Sequence, residues 1–142
     1  TSVELVVAML AGSLLALTAG TLVYLGHRAW RDSLTAVDLQ RDATFAMDII
    51  AHQLRPASRT RVALDVGRIE VETSSDTRAV YLDDQDLVLD PSTTTTGDET
   101  VLVSEKVTGF TAGLSGPGVA VTLQLTDGDH QITLNSLTRW RN

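Results

Sequence analysis

The hydrophobic pattern of this chain changes character twice. From Leu5 to Gly26 run 22 residues without a formal charge, apolar on every side of a helix. From Asp32 to Arg55 the apolar positions become periodic. Ala43, Ala46, Met47, Ile50 and Leu54 follow i, i+3, i+4, i+7, i+11 spacing, which predicts an amphipathic helix buried on one face only. No Gly or Pro lies between Gly26 and Pro56, so the two stretches read as one helix over residues 1–55, ended by Pro56. Beyond Pro56, β-branched runs alternate with turn signals. Period-2 alternation is clearest at Val119, Val121, Leu123 and Leu125 and again at Ile132 and Leu134.

About 20 apolar residues in a helix cross the hydrocarbon of a bilayer, so the first stretch is long enough to span one. Arg28 and Arg31 with Tyr24 and Trp30 form an interfacial anchor: rings at headgroup depth and cations that reach water. The anomaly is Glu4. It stands at the entrance of the apolar run, with no Lys or Arg before Arg28, whereas a secretory signal begins with basic residues. An ordinary anchor gains nothing from a carboxylate there.

The stretch T-S-V-E-L-V-V-A-M-L resembles the processed N-terminus of the type IV pilin and type II secretion pseudopilin superfamily. Chains of that family open with a methylated residue, followed by a short stretch, a glutamate and a long apolar helix. The register of the resemblance implies one residue ahead of Thr1, and a basic leader removed by a prepilin peptidase before methylation. It also implies that the C-terminal part lies outside the cytoplasm, although two arginines after the span would ordinarily mark the cytoplasmic side. In this family the glutamate neutralises the N-terminal amine of a neighbouring subunit. Glu4 and Thr1 are accordingly the assembly residues, and Leu5, Val6, Met9, Leu10, Leu14 and Leu17 the filament-core packing residues. Pairing of Glu4 with the amine of its own helix is the alternative, and it would relieve the charge without any assembly. Gly12 and Gly20 suit close helix packing; Thr18 and Gly20 also mark a place, Ala16–Thr21, where the helix could unwind on leaving the membrane.

In the C-terminal half the runs RVALDV, RIEVET, RAVYLD, DLVLD, TVLVSEKV, FTAGL, GVAVTLQLTD and HQITLNSLTRW predict an antiparallel sheet of about five to seven strands, with one face against the helix. Asp127-Gly128 is the strongest hairpin signal; Gly116-Pro117-Gly118 and Asp83-Asp84-Gln85-Asp86 mark other turns. The fold class is α+β, pilin-like. A transmembrane or filament-core segment spans residues 1–26, its amphipathic continuation 27–56, and the β domain 57–142. VLVSEKVTGFTAGL and the terminal RWRN resemble the late strands and basic end of the minor pilin or pseudopilin branch. Trp30, Leu34 and Val37 are expected to dock on the sheet along with the later stripe.

Charge and chemistry change this picture little. The net charge is −7, with five acids and four Arg up to Arg55 against thirteen acids and seven bases beyond it. An acidic head argues against binding nucleic acid or anionic lipid. The absence of cysteine removes disulfides, thiolate metal sites and thiol nucleophiles. His27, His52 and His130 have no metal-ligand spacing, and no nucleophile elbow or phosphate loop is present, so no enzyme and no cofactor is expected. Asp83, Asp84 and Asp86 with Asp90 could hold calcium or could form an acidic turn. Ser92, Thr93, Thr94, Thr95 and Thr96 form a solvated loop or an O-glycosylated one.

The sequence therefore points to a structural filament subunit whose partners are copies of itself, the pilus or secretion assembly machinery and the prepilin peptidase. It would sit in the inner membrane of a bacterium before assembly, then in an extracellular filament or periplasmic pseudopilus. A pseudopilin or minor tip subunit is the near alternative. A single-span anchored ligand-binding protein is the alternative of another class.

Overall fold

The computed structural model describes residues 1–57 and 61–139. One helix, α1 (Ser2–Leu54), precedes eight strands: β1 (Val62–Asp65), β2 (Arg68–Glu72), β3 (Thr77–Asp83), β4 (Asp86–Asp90), β5 (Thr100–Val103), β6 (Val107–Ser115), β7 (Gly118–Asp127) and β8 (His130–Arg139). The class is α+β, as the pattern predicts. The chain divides into two compact units, Thr1–Thr35 and Ala36–Asn142, so the division falls inside the helix and not at its end.

In the first unit every residue from Thr1 to Leu34 is exposed. The helix there includes a stretch long and apolar enough to cross a membrane.

In the second unit Leu39, Ala43, Ala46, Met47, Ile50 and Leu54 are buried against the strands, at the helical spacing read from the sequence with Leu39 added. Trp30, Leu34 and Val37 correct the expectation: they are 65%, 47% and 61% exposed. Their phase explains it. At about 100° per residue they lie roughly half a turn round the helix from the buried stripe. Apolar character alone predicts burial only on the face that meets the sheet.

The strands form two antiparallel sheets where one was expected, β1-β2-β3-β4-β5 and β6-β7-β8. The break falls within TVLVSEKV. Glu105 adopts a left-handed φ of 57°, and its N–H donates to Asp86 Oδ1 at 2.6 Å, as does the Ser104 hydroxyl at 3.1 Å. This turn ends β5 and sends β6 into the second sheet. The predicted hairpin at Asp127-Gly128 is present, one residue later than read: Asp127 pairs with His130, and Gly128-Asp129 form the turn. Gly128 takes φ +58°, the left-handed value that the first position of a II′ turn requires.

The core lies between the helix and the sheets. In the three-stranded sheet, Val107–Leu125–Ile132 and Phe110–Leu123–Leu134 form rungs across the strands, fully buried on β6 and β7 and only half-buried on β8. Ile69, Val71, Val80 and Leu87 supply the five-stranded sheet's share. Each such side chain contributes about 1.5–3 kcal/mol of transfer free energy when fully buried.

Candidate assembly site at the head of the helix

The first turn of α1 carries its one acidic residue, Glu4. The first intrahelical bond runs from the Leu5 N–H to the Thr1 carbonyl at 3.2 Å, which makes Thr1 the N-cap. The Thr1 nitrogen donates to Glu4 Oε2 at 2.7 Å. Thr1 to Glu4 is thus the spacing T-x-x-E, in which the third helical residue reaches back to the nitrogen of the cap. That geometry works for an amine and for a peptide N–H alike. The sequence signal was present in the letters but was absorbed by the unusual placement of the charge. Of the two pairings open to Glu4, the structure describes the one within a single chain. Both groups are about 80% exposed, so water or a neighbouring molecule can reach them.

Leu5, Val6, Met9, Leu10, Leu14 and Leu17 surround the helix below this pair, each between 54% and 72% exposed. The polar residues of the span spend their hydroxyls on their own helix: Ser13 donates to the Leu10 carbonyl at 2.9 Å, Thr18 to Leu15 at 2.9 Å and Thr21 to Leu17 at 2.7 Å. A hydroxyl satisfied this way enters hydrocarbon at much lower cost than a bare one. The helix runs unbroken through Thr18 and Gly20. A Cβ added at Gly12 or Gly20 would meet nothing within 4 Å, leaving both sides open for a close neighbour.

The other candidates have local structural partners. Asp83 and Asp86 pair at the end of the β3–β4 hairpin, with Asp84 at φ 54° in its turn. Asp86 already accepts two hydrogen bonds from the β5–β6 turn. Asp90 is buried and accepts the Ser92 N–H at 3.0 Å. Among the described residues no three carboxylates or imidazoles converge as a metal would need.

The segment after β4 folds back on the start of β3: the Thr93 N–H donates to the Thr77 carbonyl at 2.9 Å, and Thr94 Oγ1 to Asp76 Oδ1 at 3.4 Å. Ser92 is buried, with its hydroxyl 3.0 and 3.1 Å from those of Thr94 and Thr95. Thr93, Thr94, Thr95 and Thr96 are exposed. The Ser92 hydroxyl and then the Thr77 N–H hold the Asp76 carboxyl below its ordinary value.

A second charged cluster escaped the sequence reading. Lys106 Nζ lies 3.0 Å from Asp42 Oδ2 on α1 and 3.6 Å from Asp127 Oδ2 at the end of β7. Its hydrogen bond to the Asp42 carboxylate raises the Lys106 ammonium above its usual value against the opposing effect of desolvation. Asp42 lies off the buried stripe, and nothing local in the sequence points to its partner 64 residues away.

Of the predicted basic end RWRN, Arg139 closes β8, and residues 140–142 lie outside the described residues. Comparison with protein-family models, curated proteins and solved structures returns no match. The resemblance at the N-terminus therefore rests on the residues themselves.

Proposed function

We propose that this chain is a structural subunit of a type IV pilin-like filament, assembled through the apolar half of α1 with the β domain facing outward. The observation that carries the reading is Glu4: one carboxylate, exposed, heading 22 uncharged residues. A carboxylate in the middle of a bilayer costs about 2.5–3.5 kcal/mol on insertion scales and persists where something compensates. In the filament, an incoming subunit's N-terminal amine meets Glu4 of the subunit before it, so neutralisation accompanies docking. Before assembly the subunit resides in the inner membrane of a bacterium. Prepilin peptidase, the assembly machinery and other copies of the chain are its partners. A pseudopilin or minor tip subunit uses the same chemistry within a periplasmic or mixed filament.

The competing role for Glu4 is the helix cap alone. Glu4→Gln separates the two, because Gln serves at this capping position as Glu does but carries no charge. The variant is expected to insert and fold normally and to lose most of its filament yield, measured by shearing and immunoblotting. Undiminished yield would show that capping suffices and would remove charge pairing from the assembly step.

A further inference from the structure

The outer edge of β8 offers backbone hydrogen bonds that no other described strand takes up. β8 is the last strand of its sheet and pairs only with β7. The other sheet edges are short or broken: β1 and β5 have four residues each, and β6 shifts register between Val107 and Gly109. β8 runs ten residues in continuous register, without proline, lysine or bulge, the devices that normally blunt an edge.

The hairpin fixes which of its groups are free. Asp127 and His130 flank a two-residue turn and form the hydrogen-bonded pair that closes it. Bonding then alternates, so even-numbered residues from His130 to Thr138 bond β7, and odd-numbered residues from Gln131 to Arg139 direct N–H and C=O outward. Ile132 and Leu134, on the core side, are only partly buried. One more strand would finish covering them.

We propose that this edge binds an extended segment of another polypeptide as an added antiparallel strand. The segment has apolar side chains at alternate positions, to complete the rungs at Ile132 and Leu134, and a carboxylate at its N-terminal end. β8 contains no carboxylate, and Arg139 stands where that N-terminal end would lie. A second copy is the less suitable occupant, because each chain carries −7 and two such chains repel. Backbone bonds supply the affinity and the alternate side chains the selectivity. The inference does not depend on the filament reading.

The test uses the full chain in detergent and a labelled peptide, EVAVTLQLTD, which is the β7 sequence opened by Glu in place of Gly. Saturable binding is expected, with slowed amide exchange at the odd-numbered β8 residues. The same peptide opened by Lys should bind several-fold more weakly. Thr133→Pro removes an outward N–H and leaves the β7 ladder intact, a position where an edge strand accepts proline. It should weaken binding about tenfold, roughly the value of one well-made hydrogen bond, whereas Thr133→Val should not. A peptide N-methylated at alternate residues provides the same comparison on unaltered protein and should fail to bind. No saturation up to 1 mM, undiminished binding by folded Thr133→Pro, or binding of the methylated peptide would overturn the proposal. So would protection of these amides that rises with protein concentration in the absence of peptide, which would assign the edge to a second copy.

Discussion

The two halves of α1 are built from similar residues and meet different surroundings. Ahead of Thr35 the helix has leucine and valine on every side, all exposed. From Leu39 to Leu54 its apolar residues concentrate on one face, and that face is covered by strands. The first half therefore offers all of its apolar surface to lipid or to other helices. The second half needs neither. One continuous helix thus joins a segment awaiting a solvent to a segment that already has one, and hydrophobic phase distinguishes them better than hydrophobic content does.

Substitutions in one half of the helix are expected to leave the other half unaffected. Ile50→Ala empties a site that is only 2% exposed and should cost the β domain about 2–5 kcal/mol in denaturant unfolding, while membrane partitioning stays unchanged. Leu14→Arg should do the reverse. It adds about 2.5–3.5 kcal/mol to insertion and should leave the domain's unfolding midpoint where it was. If either substitution moved both readouts, the two halves would not be independent.

A smaller effect is expected at Lys106, whose partners are part-exposed, so that solvent screening limits the loss for Lys106→Met to about 1 kcal/mol or less. Its pH dependence has a definite sign. A raised ammonium pKa in the folded state means the contribution is fully present below the unfolded value of about 10.4 and is lost as pH climbs through the folded one. Wild type and Lys106→Met should therefore converge in stability in alkaline solution. A gap that stayed constant to high pH would mean that the lysine acts through packing and not through its charge.

What the letters revealed follows the range of the interactions involved. The helix, its stop at Pro56, the buried stripe and the glycine turns depend on neighbours within a few residues, and periodicity exposed them. The second sheet was missed because its origin is the capture of the Glu105 N–H by Asp86, 19 residues away, in the middle of a run that reads as one strand. Trp30, Leu34 and Val37 were misplaced because the helix's phase against the sheet is set by all its contacts at once. The T-x-x-E cap is the opposite case, a local signal obscured by the oddity of a charge beside an apolar run. Lys106 with Asp42 and Asp127 had no local signature at all.

We propose that the exposed half of α1 finds its solvent in other copies of the same helix. Electron microscopy of material sheared from the surface of the producing cells, with mass spectrometry of the same fraction, tests it most directly. Long thin filaments that contain this chain are expected. Recovery of the chain solely as a monomer that stays with the membrane fraction, with no filament containing it, would rule out helix-to-helix assembly.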